Sequence, residues 1–258
     1  MTLNSTRVLG RQAVLNKLRG GVVVSVQAAH GEPLDKPEYL RVLAESALNG
    51  GACAVRMAQV VNIQYFKQAH PDVVVMGITK PEIIPENALE LVYITPTLAD
   101  VQALAECCDV VALDATLRHR PGGQSLAEIV TLARQSHPGL LLMADVATLA
   151  EGLNAANLGF DLLSTTLSGY TLESREAHAH NGKGLDGPDF DLLAALVRDT
   201  QVPVILEGRV WEPAEVTRAF ELGAFAVVIG SAVTRPHEIT RRFVRAAATA
   251  GSGPAGEA

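Results

Sequence analysis

Along this chain, short runs of consecutive apolar and β-branched residues, bounded by turn residues, alternate with longer stretches whose apolar positions recur every three or four residues. The first pattern is that of strands buried on both faces, and the second that of helices with one buried face. It predicts strands over residues 22–28, 53–58, 73–79, 110–115, 140–146, 162–167, 204–207 and 226–229. Helices are expected between and after them, over 37–49, 60–70, 98–107, 125–137, 148–157, 188–200, 213–222 and 236–248. Pro188, Pro213 and Pro236 stand where a first helical turn would begin, a position at which a missing N–H costs little. Gly50, Gly159 and Gly223 follow helical runs, as left-handed C-caps would. A further helix before Gly20 is expected to close the floor of the fold.

Repeated strand-then-helix units with right-handed crossovers fit either a closed barrel or an open doubly wound sheet. Polar residues sit at one strand C-terminus after another: Gln27, Arg56, Lys80, Asp114, Asp145, Thr165, Glu207 and Ser231. In a barrel those ends converge on one face, where the active site lies, so the expected fold is a single-domain α/β (β/α)8 TIM barrel. It should span residues 1–250, with 251–258 as a flexible tail. Two connections are long. Residues 91–97 read as an extra short strand or a lid over the mouth, and 168–186, rich in Gly and His, as a mobile loop.

Composition narrows the partners. With 48% hydrophobic and 19% charged residues, the 258-residue chain can bury a large core. A net charge of -7 and the absence of a basic run argue against nucleic acid, while leaving room for a small anion in a locally positive pocket. Cys53, Cys107 and Cys108 are odd in number and lack Cys-x-x-Cys spacing, so buried free thiols in a reducing compartment are expected. The first residues lack the plan of a secretory leader, and no apolar run approaches the roughly 20 residues that span a bilayer. A cytoplasmic location without a membrane partner is the expectation.

Lys80 ends an otherwise apolar strand, so its ammonium would leave a hydrophobic wall and enter the barrel mouth. Desolvation there would lower its pKa toward the range of a general base or Schiff-base nucleophile; a solvated loop lysine is the plainer alternative. Glu207 caps another apolar strand and precedes Gly208. It is either an acid/base group or half of a structural ion pair with Arg56, whose planar fork could equally hold a substrate oxygen. Asp145 would add an acceptor across the barrel or serve only as a spacer in a polar network. The late turns Glu207-Gly-Arg-Val210 and Ile229-Gly-Ser-Ala232 suit a phosphate, with Gly208, Arg209, Gly230 and Ser231 as its ligands and Arg235 as a further charge. His30, His119, His178 and His180 lie in predicted loops without metal-ligand spacing, so a surface cluster, no metal and no cofactor are expected.

These residues give the chain a resemblance to the bacterial N-acetylmannosamine-6-phosphate 2-epimerase family, from about residue 18 to residue 244. It is carried by Ser25-Val-Gln-Ala28, Gly77-Ile-Thr-Lys80, Tyr93-Ile-Thr-Pro-Thr97, Leu142-Met-Ala-Asp145, Glu207-Gly-Arg209 and Gly230-Ser-Ala-Val-Thr-Arg-Pro236, among others. The resemblance implies reversible interconversion of N-acetylmannosamine 6-phosphate and N-acetylglucosamine 6-phosphate. It places the catalytic lysine at Lys80 and the catalytic glutamate at Glu207, with Gln27, Arg56 and Asp145 around the sugar; Thr165, at another strand end, is expected to join them as a substrate-binding residue. The chain departs from the family pattern at Val26, where a cysteine is common, at Pro81-Glu82, and in an inserted segment over 174–186. Two other readings remain at this stage, a class I Schiff-base aldolase or lyase acting through Lys80 and a non-catalytic sugar-phosphate-binding regulator. A homodimer is expected on base rates, through apolar helix faces or the segment near Trp211.

Overall fold

Eight parallel strands close on themselves in chain order in a computed structural model, which describes residues 9–180, 184 and 186–251. They are β1 (Val22–Val26), β2 (Ala54–Ala58), β3 (Val75–Ile78), β4 (Val110–Asp114), β5 (Leu141–Asp145), β6 (Leu162–Ser164), β7 (Val204–Glu207) and β8 (Ala226–Ile229). Closure comes from β8 pairing with β1, Val22 opposite Val227 and Val24 opposite Ile229. The helices that follow β1 to β5 are α2 (Pro37–Asn49), α3 (Val60–Ala69), α4 (Leu98–Ala105), α5 (Leu126–Ser136) and α6 (Leu149–Asn157), and α1 (Arg11–Leu18) precedes them all. Later come α7 (Leu172–His180), α8 (Phe190–Asp199), α9 (Pro213–Glu221), α10 (Ser231–Thr234) and α11 (Pro236–Gly251).

The strands read as unbroken apolar runs because both faces are buried, and the two faces do different things. Val23, Ala54, Met76, Val110, Leu141, Leu162, Ile205 and Ala226 cluster with Val14 and Leu18 of α1. They fill the barrel, and α1 plugs its floor as expected. Their neighbours one residue along, such as Val24, Val55, Val75, Val111, Leu142 and Val227, pack instead with the helix residues Leu40, Ile63, Phe66, Leu104 and Ile129. Every second residue therefore points inward.

Helix starts follow local chemistry: α4, α5 and α6 each open with a reciprocal capping box, Thr97 with Asp100, Ser125 with Glu128 and Thr148 with Glu151. Pro213 and Pro236 begin their helices as expected, whereas Pro188 lies just outside α8, which is capped by Asp189. The left-handed residue after α2 is Gly51 at φ 96°, not Gly50.

Both long connections are ordered in ways the sequence pattern did not distinguish. β3 and β4 pair only at Met76–Val110 and Gly77–Val111, and the 91–95 segment fills the widening gap above them. The Thr95 N–H donates to the Thr79 carbonyl (3.0 Å), and the Ile94 carbonyl accepts from the Asp114 N–H (3.2 Å). The segment is thus part of the barrel rim. Within 168–186, residues 172–180 form α7 rather than a loop, and His178 is buried; residues 181–183 and 185 lie outside the described residues. At the C-terminus Gly251 ends α11, and the rest of the expected tail, 252–258, lies outside the described residues. Cys107 and Cys108 are buried and Cys53 half-buried, all three as free thiols. Among the described residues no helix is long and apolar enough to cross a membrane.

Below the barrel, the Lys67 ammonium of α3 is buried against Asp109 (2.7 Å) and the Val73 carbonyl (2.7 Å), and Asp109 also accepts from the Val75 N–H (2.9 Å). Removing one partner of such a pair strands the other charge. Lys67→Met should therefore lower the unfolding free energy by about 3–5 kcal/mol in urea titrations, without changing the residues at the opposite, C-terminal mouth.

Candidate active site

The inward register, carried to the strand C-termini, brings Ser25, Gln27, Arg56, Lys80, Asp145, Ser164, Thr166, Glu207 and Gly230 to one end of the barrel. Above the apolar layers these positions form a polar floor, and over it opens a cavity of about 330 Å³. Gln27, Lys80, Glu207, Gly208, Arg209, Gly230 and Ser231, seven of the expected site residues, line it.

Lys80 lies two residues beyond β3, in phase with Met76 and Ile78, so its side chain emerges among the barrel's interior groups. Its ammonium donates to Gln27 Oε1 (2.8 Å), and Gln27 in turn donates from Nε2 to Ser25 Oγ (2.7 Å). Burial is the main reason that the Lys80 pKa falls to about 8; the Arg56 and Arg235 guanidiniums push the same way, against Glu207 and Asp145. Lys80 therefore reaches its neutral form at a lower pH than a solvated lysine does.

Arg56 is only 1% exposed, and Asp145 is wholly buried. The guanidinium grips Asp145 with both terminal nitrogens, Nη2 to Oδ2 at 2.5 Å and Nη1 to Oδ1 at 3.1 Å, and Nη1 also pairs with Glu207 Oε2. The expected Arg56–Glu207 ion pair therefore exists, and Arg56 stays charged because its two carboxylates outweigh burial. Neither Arg56 nor Asp145 is among the residues that line this cavity. They lie beneath it and fix Glu207. Burial raises the Glu207 pKa; Asp145 adds to the effect, while Arg56, Thr166 and Lys80 oppose it.

Thr165 does not line the cavity either. Its hydroxyl donates to the Glu207 carbonyl (2.9 Å) and accepts from the Glu207 N–H (3.1 Å), stitching β6 to β7 away from the cavity. The residue that faces the site is Thr166, whose Oγ1 lies 2.7 Å from Asp145 Oδ1 and 3.1 Å from Glu207 Oε2. Strand parity could have found it, since Ser164 and Thr166 share a face and their hydroxyls meet at 2.8 Å. Ser25, Tyr93 and Tyr170 also line the cavity. Tyr93 and Tyr170 sit in long connections, where no periodicity points to them.

The far end of the cavity is built by the two late turns. Gly208 adopts φ 107°, a conformation that favours glycine, and Gly230 caps the short α10. Arg209 is partly committed: Nε donates to the Gly187 carbonyl (2.8 Å), Nη1 donates to the Ser168 carbonyl (2.6 Å), and the guanidinium lies 5.5 Å from the Tyr170 ring centre. It secures the wall more than it offers free donors. Arg235 lines the same end. The histidine expectation changes too, because His178 is no surface residue: it is buried against Ser168 Oγ (3.0 Å) and Asp189 Oδ2 (3.1 Å). Among the described residues no group of three His, Cys, Asp or Glu side chains is placed to hold a metal. Trp211 lines the cavity, with the Arg242 guanidinium 4.1 Å from its ring centre.

Known proteins share this architecture and much of this sequence. A family model described as "Putative N-acetylmannosamine-6-phosphate epimerase" matches residues 40–249. A protein from Caldanaerobacter subterraneus, named in the same terms as a 2-epimerase, is 44% identical over 232 residues, covering 90% of this chain and 92% of its own length. A like-named protein from Enterobacter sp. strain 638 is 42% identical, covering 91% and 96%. The solved N-acetylmannosamine-6-phosphate 2-epimerase from Clostridium perfringens superposes with a TM-score of 0.80 at 39% identity, covering 90% of this chain and 95% of that one.

The buried triad generates a pH-dependent prediction. In Arg56→Met, Asp145 and Glu207 would share the barrel without a cation, and the folded-state pKa of Glu207, already raised by burial, would rise further. Such a group favours the folded state while protonated and loses that contribution as pH rises through the folded pKa. The variant should be destabilised by about 3–5 kcal/mol near neutral pH, and its deficit in thermal unfolding should be smaller at about pH 5 than at about pH 8.

Proposed function

This chain belongs to the N-acetylmannosamine-6-phosphate epimerase family, and from that premise we propose that it interconverts N-acetylmannosamine 6-phosphate and N-acetylglucosamine 6-phosphate by exchanging the proton at C2. The observation that carries the reading is the joint presence, on one cavity wall, of Lys80 with its lowered pKa and Glu207 with its raised one. In the open-chain sugar C2 is next to the C1 aldehyde, so its proton can leave to give an enolate and return on the other face. Inversion suits two groups of matched proton affinity. Lowering a lysine while raising a carboxylate brings their affinities together.

In this reading Lys80 and Glu207 are the catalytic pair, and Gln27 orients the lysine. Arg56, Asp145 and Thr166 act through Glu207, holding its carboxylate at the wall. The backbone of Gly208, Gly230 and Ser231, with Arg235 nearby, receives the phosphate, and Arg209 keeps the adjoining wall in place. We assign the substrate class as N-acylhexosamine 6-phosphates. Relatives named as epimerases do not favour the lyase or the non-catalytic binder. The expected homodimer is supported by Phe243 and Val244 of α11, 73% and 62% exposed, and a cytoplasmic setting by the free thiols.

Proton NMR of N-acetylmannosamine 6-phosphate with the protein in deuterated water should show N-acetylglucosamine 6-phosphate appearing with deuterium at C2. Lys80→Met should slow that exchange by about 10²-fold or more; wild-type exchange in this variant would remove Lys80 from the chemistry. The pH profile follows from the pair. In either direction one group must be a free base and the other a protonated acid, so the active pair holds one exchangeable proton. Above about pH 8 Lys80 gives up its proton, leaving none to return. The kcat/KM profile should therefore be bell-shaped in both directions. Its alkaline limb should fall near pH 8, and its acid limb should lie above the ordinary carboxylate range.

A further inference from the structure

Gln59, between β2 and α3, occupies a backbone conformation that its residue type disfavours, φ 75° and ψ 131°. It stands at the N-cap of α3, where Ser, Thr, Asp, Asn or Gly would be usual, and its side chain makes no cap. Its N–H continues the barrel ladder to the Ile78 carbonyl (2.9 Å), and its carbonyl accepts from Asn62 and Ile63, both at 3.1 Å. A glycine would take this conformation without strain. Glutamine is present instead, and its side-chain Nε2 donates to the main-chain carbonyl of Lys80 at 2.6 Å.

That bond falls where Lys80 needs support. β3 ends at Ile78, and Thr79 is held by the rim, through Thr95 and Asp100. Lys80 is gripped at its tip by Gln27 and at its backbone by Gln59. Gln59 lines a separate, largely apolar cavity behind Lys80 and not the one that Lys80 shares with Glu207. It therefore acts through the lysine.

We propose that Gln59 is a positioning residue, held in a strained conformation so that its side chain fixes the Lys80 main chain and aims the ammonium into the active-site cavity. This rests on the reading of Lys80 as a proton-exchanging group, but the placement itself can be tested apart from turnover. The groups that set the lysine's charge are Arg56 on β2, Asp145 on β5, Glu207 on β7 and Arg235 after α10. If the backbone anchor is lost, the ammonium is freed from that environment toward solvent.

Two variants separate strain from anchoring: Gln59→Gly removes both, and Gln59→Met removes only the hydrogen bond at similar length. Each is compared with wild type by kinetics, by thermal unfolding, and by the pH dependence of Lys80 acetylation with trace acetic anhydride, read by mass spectrometry. The expected result is a fall in kcat of about 10–100-fold with KM little changed and a labelling pKa that moves up from about 8 toward the ordinary lysine value. The melting temperature of Gln59→Gly should be no lower than wild type. Wild-type kcat and labelling in either folded variant would overturn the proposal, as would a loss of activity that follows only from a lowered melting temperature with the labelling pKa unmoved. If wild type itself shows no C2 exchange while the labelling shift occurs, the proposed reaction fails and the anchoring role stands.

Discussion

A single guanidinium holds the mouth of this barrel together. Arg56 enters from β2, crosses the interior and binds carboxylates from β5 and β7 at once. A charge at that depth is tolerable only with full partners, and two acids at that depth are tolerable only with a cation between them. The geometry of Glu207 follows from this bond, because the carboxylate that reaches the cavity is the one Arg56 has already oriented. The same cation, a neighbour of Lys80, joins with burial in drawing protons off that lysine. Burial sets the direction of the shift on both sides of the cavity, and the same guanidinium adds to it at Lys80 and opposes it at Glu207.

The barrel's two-residue repeat explains why so many polar groups meet there. Inward positions low in the strands carry Val, Ala, Met, Leu and Ile, and α1 seals them from below. The same positions one or two steps further along carry Ser, Gln, Arg, Lys, Asp, Thr and Glu. An apolar base supports a polar top in which Arg56 and Asp145 are enclosed, while Lys80 and Glu207 border the cavity.

The connections do the rest. The 91–95 segment replaces missing β3–β4 pairing and carries Tyr93 and Ile94 to the cavity, and Arg209 ties the late turn to the Ser168 and Gly187 carbonyls. Strained, non-glycine conformations occur at Gln59, Thr95 and Arg209, each at the rim and each bonded to a neighbouring element. Their placement suggests that rigidity around Lys80 and the late turns is maintained against local preference.

Strand order, barrel closure and the placement of Lys80, Glu207, Gln27 and the late glycine turns at the barrel mouth were legible in the chain. These depend on periodicity and on residue type at strand ends, which are local properties. Helix starts near 98, 125 and 148 were legible to within a residue, and the structure adds the reciprocal caps at Thr97, Ser125 and Thr148. Thr166 was open to the same local reasoning, since it shares the face of Ser164, whereas the bonds of Thr165 to the Glu207 main chain depend on pairing with β7. Arg56 and Asp145 were recognisable as polar strand-end residues, but whether they touch a ligand or each other depends on distances across the barrel, between residues 89 positions apart in sequence. α7 was hidden in a connection rich in Gly and His, where Ser174 and His178 are buried against residues that flank the helix, Gly169, Ser168 and Asp189. Local chemistry determined which groups this chain carries to the barrel mouth; only the closed tertiary structure decided which of them face the cavity and which hold the others in place, because burial and pairing across a barrel are properties of the whole ring.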